Sequence, residues 1–228
     1  MKLLAIDTST EACSAALSID GEISERYEIA PRKHAELILP MIDELLADAG
    51  CSLAQMDAIA FGRGPGAFTG VRIGTGVVQG LAFSIDRPVV PVSTLASMAY
   101  GAMTEFSVEN VLAGIDARMG EVYWGAYQRS ADGGVQLLDE ESVCVPDETF
   151  MPTTGEWFGA GTAWLAYSEV LVARFKEQLK AQQPDLFPRA RYIAALGVLG
   201  VAAGEAVMAD EAQPVYLRNN VAKKKAER

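Results

Sequence analysis

The sequence contains one histidine, His34, in 228 residues. A histidine-based metal centre needs several ligands at spacings such as HxxxH or HExxH, so histidine cannot build one here. A Ser-His-Asp or Cys-His nucleophile system would have to use His34 alone, and no GxSxG elbow accompanies it. His34 opens a predicted helix and reads as an exposed first-turn residue. Cysteine is also scarce. Cys13, Cys51 and Cys144 are odd in number, widely spaced and form no CxxC pair, which excludes a zinc ribbon and a disulfide framework. They read as free thiols serving as small apolar residues, suited to a reducing cytosol. Positive charge is in deficit: 19 Lys and Arg against 30 Asp and Glu give a net charge of −11. Such a chain repels a nucleic-acid backbone on average, so unaided binding to one is not expected. No apolar run of the roughly 18 residues needed to span a bilayer escapes interruption by glycine. The opening Met-Lys-Leu-Leu-Ala-Ile-Asp lacks the apolar core and cleavage site of a signal peptide. The expected location is the cytoplasm.

Half of the residues are hydrophobic, enough for one large or two modest cores. Lys2–Asp7 is a short apolar run ending in an acid and predicts a strand. Ala12–Ile19 and Glu22–Ile29 predict two more, joined by the hairpin signal Asp20-Gly21. A helix follows over about 34–49, with Gly50 as its C-terminal cap and Pro40 inside it. A strand is predicted over 57–61, a glycine-rich turn over 62–66 and a helix over 68–85. A short strand over 88–92 and a helix capped by Ser93 through about 103 complete the unit.

The second half restarts this pattern. Leu4-Ala5-Ile6-Asp7 aligns with Ala113-Gly114-Ile115-Asp116, each followed by a polar turn and a second apolar strand, over 121–127 in the later copy. A strand over 135–145 and helices over about 163–180 and 190–208 finish it. Two copies of a βββαβα(β)α unit predict an α/β chain with duplicated actin/sugar-kinase-like (ribonuclease H-like) domains, each a mixed sheet flanked by helices. The boundary falls near 104, giving domains 1–104 and 105–228. The tail over 215–228 is partly basic through Lys223-Lys224-Lys225 and reads as a solvated terminus.

Asp7 and Asp116 end equivalent strands, and with Thr8 and Ser9 they are the candidates for a nucleotide cleft. In that role the acids would hold magnesium through water. Alternatively each Asp bonds the backbone of its own turn. The loop Gly62-Arg63-Gly64-Pro65-Gly66-Ala67-Phe68-Thr69-Gly70 joins a strand to a helix but lacks the Gly-Lys-Ser/Thr end of a Walker A motif. It is either an anion-binding helix start or a tight turn.

The helix over 68–85 carries most information. Its only charge is Arg72. Val71, Val78, Ala82 and Ile85 share one face, which can pack on the sheet. Ile73, Gly76, Gly80 and Phe83 lie roughly opposite, where a solvated helix would be polar, so something must cover them. On the preceding helix, Leu37, Ile38, Leu39, Met41, Ile42, Leu45, Leu46 and Ala49 span about 200°, wider than one core contact needs. Surplus apolar surface on two neighbouring helices predicts a subunit interface, symmetric or heteromeric.

Three segments carry a resemblance: Leu-Leu-Ala-Ile-Asp-Thr-Ser-Thr at the start, Gly-Arg-Gly-Pro-Gly-Ala-Phe-Thr-Gly-Val-Arg-Ile-Gly in the middle, and Asp116-Ala117-Arg118-Met119-Gly120-Glu121-Val122-Tyr123. With the tail Pro214-Val215-Tyr216-Leu217-Arg218, they resemble the TsaB (YeaZ) family. The resemblance implies a non-enzymatic role in making threonylcarbamoyladenosine on tRNA. Transfer itself belongs to the paralogue TsaD, and the ATPase TsaE joins the two. It implies no cofactor, contact with tRNA only through the complex, and a homodimer when the partner is absent. TsaD would be bound through the two helices just described. The implied interface residues are Leu37, Met41 and Leu45 on the first, and Thr69, Arg72, Ile73, Gly76, Gly80 and Phe83 on the second. The paralogue's metal-binding His-x-x-x-His falls on Thr94 and Met98, which implies that no metal is held there. The competing class is an actin-fold ATPase or phosphotransferase using Asp7 and Asp116; a peptidase is a third.

Overall fold

The structure, a computed structural model, describes residues 1–218; the basic triplet Lys223–Lys225 lies outside them. The first half contains β1 (Lys2–Asp7), β2 (Ala12–Ile19), β3 (Glu22–Ile29), α1 (His34–Asp48), β4 (Ala58–Gly62), α2 (Phe68–Ile85), β5 (Val89–Val92) and α3 (Thr94–Phe106). The second half contains β6 (Asn110–Arg118), β7 (Glu121–Arg129), β8 (Val135–Leu137), β9 (Ser142–Cys144), β10 (Trp157–Ala160), α4 (Ala163–Ala166), α5 (Ser168–Phe175), β11 (Leu179–Gln183) and α6 (Ala190–Ala203).

The first sheet runs β3-β2-β1-β4-β5 and the second β8-β7-β6-β10-β11, with β9 also on β7. The antiparallel pairs β1/β2 and β6/β7 correspond, as do the parallel pairs β1/β4 and β6/β10. This is the duplicated actin/sugar-kinase-like arrangement anticipated from the repeat.

Each sheet is covered on both faces, which explains why β1 is apolar at successive positions rather than alternate ones. Leu4 and Ile6 pack with α1 and α2, whereas Leu3 and Ala5 pack with α6. The face under α6 is lined by Ala5, Ala16, Ala58 and Ala60. These small side chains let the helix lie close: a Cβ on Gly197 would stand 2.7 Å from that of Ala60. In the second sheet, α3 covers one face through Leu95, Met98 and Met103. Trp124 and Trp157 fill the other, packed against Trp164 of α4 and Phe175 of α5.

The last helix of each half therefore packs on the sheet of the other half. A cut at 104/105 separates the two sheets but falls within the last turn of α3, and α3 and α6 cross between the halves, touching where a Cβ on Gly101 would come 2.7 Å from the Tyr192 ring. Side chains from the first sheet also cap α6. Ser14 Oγ accepts from Ala190 N at 2.9 Å, and Glu25 accepts from Arg191 N at 3.0 Å and from the Arg189 guanidinium. These contacts satisfy helix-start amides that the helix's own N-cap residue leaves open.

Several expectations need correction. The strand expected over 135–145 is two short strands, β8 and β9, interrupted by the solvated acids Asp139 and Glu140. The helix expected over 163–180 breaks at Tyr167 and ends at Phe175, and the chain then turns into β11, which pairs with β10 in parallel. Tertiary pairing overrides the propensity of a short polar segment there. The last helix ends at Ala203, not near 208, because Gly204 takes φ +75° and Glu205 N closes the turn on Gly200 O at 2.9 Å. Val207 then pairs with Val89. His34 is buried rather than exposed, its Nε2 3.2 Å from the Ala12 carbonyl oxygen. Cys13 is buried, and burial pushes its thiol up to about 12; Cys51 and Cys144 are half-buried.

Replacing Glu25 with Ala removes one of the two side chains that cap α6 and leaves Arg189 without its main partner. The expected loss is about 2 kcal/mol in urea unfolding, and an unchanged midpoint would remove the cap from this account.

Candidate functional site: the outer face of α2 and its adjoining cleft

The segment that launches α2 lies directly on the β1–β2 turn. Ala67 N donates to Ser9 O at 2.7 Å, and Thr8 Oγ1 donates to Gly70 O at 2.7 Å. Only glycine permits this approach. A Cβ on Gly62 would sit 1.9 Å from Asp7 Oδ2, one on Gly66 2.3 Å from Ser9 O, and one on Gly70 2.0 Å from Thr8 O. The loop makes a tight turn, with Gly64 at φ +97°, and Ser9 O takes up the Ala67 amide at the start of α2. Arg63 N and Thr94 N are likewise spent, on Val92 O and Gly64 O.

This contact sets the rotation of α2. Gly70, Val71, Gly74, Thr75, Val78 and Ala82 face inward. Thr69, Arg72, Gly76 and Gly80 are exposed, Ile73 is half-buried and Phe83 is 82% exposed. An added Cβ at Gly76 or Gly80 meets nothing within 4 Å. The open apolar face anticipated on α2 is therefore present. On α1 the anticipation needs correction. Met41 and Leu45 are buried among Ile38, Ile42 and Leu46 beneath the sheet, and Leu37 is half-buried. The wide apolar arc of α1 is used mainly inside the chain.

Arg72 is exposed but anchored. Its Nε donates to Tyr216 Oη at 2.7 Å, and its guanidinium lies 3.8 Å from the Phe68 ring centre. Tyr216 belongs to a strap, 212–218, that follows α2 back along its length. Gln79 Nε2 donates to Ala212 O and Val215 N donates to Arg63 O, each at 2.8 Å. Arg218 then reaches the second half, bonding the Glu121 carboxylate and Arg118 O. Nothing in the spacing of the tail residues indicated this clamp.

Between α2 and the second half lies a cleft of about 440 Å³, lined by Ser9, Glu11, Phe68, Asp116, Tyr123 and Arg218 among others. Arg118 bridges it, pairing with Asp116 at 2.9 Å and Glu11 at 3.3 Å. Asp116 also accepts from Tyr167 Oη at 3.2 Å. The structure thus brings Ser9 and Asp116 to the cleft and keeps Asp7 and Thr8 behind it. Asp7 is 1% exposed. Its Oδ1 accepts from Ser9 N at 2.9 Å and Ser9 Oγ at 2.8 Å, and its Oδ2 has no partner. Desolvation raises its pKa from 3.8 to about 6, against the lowering effect of those two hydrogen bonds. Asp7 bonds its own turn, the second of the two roles considered for it.

Thr94 and Met98 are both buried. Thr94 Oγ1 donates to Ser9 Oγ at 3.2 Å, and the Met98 methyl sits where a Cβ on Gly161 would come within 2.1 Å. Among the described residues no group of three His, Cys, Asp or Glu side chains could hold a metal ion.

A family model described as TsaD, tRNA N6-adenosine threonylcarbamoyltransferase, matches residues 26–226. The TsaB protein of Escherichia coli, a tRNA threonylcarbamoyladenosine biosynthesis protein, is 46% identical over 99% of this chain and 98% of its own length. Its Haemophilus influenzae counterpart is 44% identical over 99% and 97%. The chain belongs to this TsaD-type family and, within it, to TsaB. The structure of YeaZ from Pseudomonas aeruginosa covers 95% of the chain, and 99% of its own length is matched, at TM-score 0.86 and 48% identity. A second P. aeruginosa structure, described as similar to peptidase YeaZ, matches the same shares at TM-score 0.89 and 50% identity. The chain thus has the TsaB fold over nearly its whole length, and the described residues hold no helix long and apolar enough to cross a membrane.

Two measurements test this site. Gly70→Ala should cost about 3 kcal/mol or prevent folding, by driving a methyl into the Thr8 carbonyl. Gly76→Ala should gain about 1 kcal/mol from helix propensity; equal melting shifts for the two would refute the packing described. Asp7 has a folded-state pKa above its unfolded value, so stability is greatest below pH 4 on this account and falls as pH rises through 6. The difference amounts to as much as about 3 kcal/mol. Denaturant melts between pH 4 and 7 should show this slope in the parent chain and lose it in Asp7→Asn.

Proposed function

We propose that this chain serves tRNA threonylcarbamoyladenosine biosynthesis as a non-catalytic subunit, presenting the outer face of α2 to a TsaD-type transferase. The observation that carries the reading is that face: two glycines with open space above them, flanked by Ile73 and a Phe83 ring left 82% in solvent. A glycine pair at a four-residue spacing lets a second helix backbone come close. The TsaD family model matches most of this chain, so the transferase offers a related helix, and two related surfaces can meet pseudosymmetrically. The same logic supports a homodimer when the transferase is absent. The interface then comprises Thr69, Arg72, Ile73, Gly76, Gly80 and Phe83, with Leu37 at its margin. Participation of TsaE and cytoplasmic location rest on family membership. Contact with tRNA through the complex alone suits the net charge of −11.

The competing reading places an ATPase or phosphotransferase centre on Asp7 and Asp116. Burial of Asp7 behind Gly62 and pairing of Asp116 with Arg118 weigh against it. A peptidase is opposed by His34, which is buried against the Ala12 carbonyl.

Reconstitution tests the proposal: TsaD, TsaE, threonylcarbamoyl-adenylate and unmodified tRNA, with and without this chain, and the modified nucleoside quantified by mass spectrometry. Product should require the chain, and the chain alone should yield none. Gly80→Arg should keep its circular dichroism and melting temperature while losing both co-elution with TsaD and product. Equal product without the chain would overturn the subunit role, and normal TsaD binding by Gly80→Arg would move the interface off α2.

A further inference from the structure

A second cavity, of about 410 Å³, shares no lining residue with the cleft at α2. It lies among β5, the start of α3, the β7–β8 hairpin and α6. Glu141, between β8 and β9, projects into it with a side chain only 8% exposed. Glu141 Oε1 accepts hydrogen bonds from Ser93 Oγ and Tyr127 Oη. Its other oxygen, Oε2, faces the Arg63 guanidinium at 3.7 Å, which is beyond hydrogen-bonding distance. Among the described residues, neither Oε2 nor the guanidinium makes a hydrogen bond to a side chain or backbone group. Two opposite charges therefore border one cavity, each with unused capacity.

The pair constrains what could sit there. An inorganic anion drawn to Arg63 would lie against Glu141, and a metal cation drawn to Glu141 would lie against Arg63. A ligand that carries both signs side by side satisfies both, as an antiparallel partner to the pair. The ammonium and carboxylate of a free α-amino acid hang from one carbon, with their nitrogen and oxygen about 3 Å apart, close to the 3.7 Å between Arg63 and Glu141. We propose that this cavity binds the zwitterionic head of a free α-amino acid, its carboxylate on the Arg63 guanidinium and its ammonium on Glu141 Oε2. Arginine's planar fork suits a carboxylate. Val90, Leu196 and Leu199 supply an apolar wall for a side chain, and the cavity is of a size that takes small ligands. Asp132 and Glu205 at the rim select against acidic side chains. Nothing in this reading depends on partner binding at α2.

Calorimetric titration of the full chain tests it, with valine, lysine, aspartate, valine methyl ester and N-acetylvaline as probes. Valine and lysine should bind; the ester, the N-acetyl derivative and aspartate should each bind at least about tenfold more weakly. Arg63→Gln and Glu141→Gln should each weaken valine by a similar factor, and the second substitution keeps an amide oxygen for Ser93 and Tyr127. Leu199→Phe, which narrows the cavity away from the charge pair, should also weaken valine and keeps the test decisive if a charge variant misfolds. The proposal fails if no probe gives heat at about 10 mM. It fails equally if the ester matches valine, which would indicate a plain amine site, or if all three variants bind valine as the parent does.

Discussion

The seating of the α2 launch segment on the Asp7–Thr8–Ser9 turn is the contact on which the rest of the site depends. It places backbone against backbone at distances no side chain would allow, with Gly70 against the Thr8 carbonyl as the tightest case. Two consequences follow from the same hydrogen bonds. The rotation of α2 is fixed, so the residues that point outward are Thr69, Arg72, Ile73, Gly76, Gly80 and Phe83 rather than any other stripe. The turn between the first two strands, which lines the cleft through Ser9 and Thr10, spends its Ser9 carbonyl and Thr8 hydroxyl on α2. Its acid, Asp7, lies behind that contact. One packing choice thus sets the outer face of α2 and withdraws Asp7 from the cleft.

The exchange of α3 and α6 between the halves stiffens this arrangement. The sheet under α2 is held from its far side by α6, whose N-terminus is capped by Ser14 and Glu25 from β2 and β3. Opening the two halves as independent bodies would require α6 to leave an alanine-lined face matched to its own glycines. The strap over 212–218 adds a tie on the near side, from Gln79 and Arg72 of α2 to Glu121 of β7. The outer face of α2 is therefore carried by an element braced on both sides, which lowers the entropy lost on docking a partner.

Much of this was legible in the residues. The bounds of α2 coincide with the predicted ones because Gly66 and Pro65 break the chain before it and Asp86 takes a left-handed φ of 52° after it. The repeat of Ile-Asp revealed the duplication because β1 and β6 occupy equivalent central places, although β6 continues past Asp116 through a bulge to Arg118. Other features depend on partners remote in sequence. Leu-Lys-Ala-Gln-Gln becomes β11 only because β10 offers it an edge. Met41 and Leu45 looked surplus because the depth of the sheet beneath α1 has no local signature. His34 looked solvated because its acceptor, the Ala12 carbonyl, lies 22 positions earlier. The Arg118–Glu11 bridge and the Glu141 network are long-range for the same reason.

The energetics of α2 bear on where its role lies. Each glycine in a helix interior costs about 1 kcal/mol relative to alanine. Gly70 offsets that cost inside the chain, since any larger residue would collide with Thr8. Gly76 and Gly80 have no such return: space above them is open, and alanine would fit. Together they forgo about 2 kcal/mol, a sizeable fraction of a typical domain's net stability of roughly 5–15 kcal/mol. Phe83 adds an aromatic ring left in water. A stretch such as Gly76–Phe83, which sacrifices stability within the monomer and carries no charge, is understandable when the compensating contacts come from another chain. These energetics support the proposed role of the α2 surface, beside a cleft in which Asp116 is already paired with Arg118.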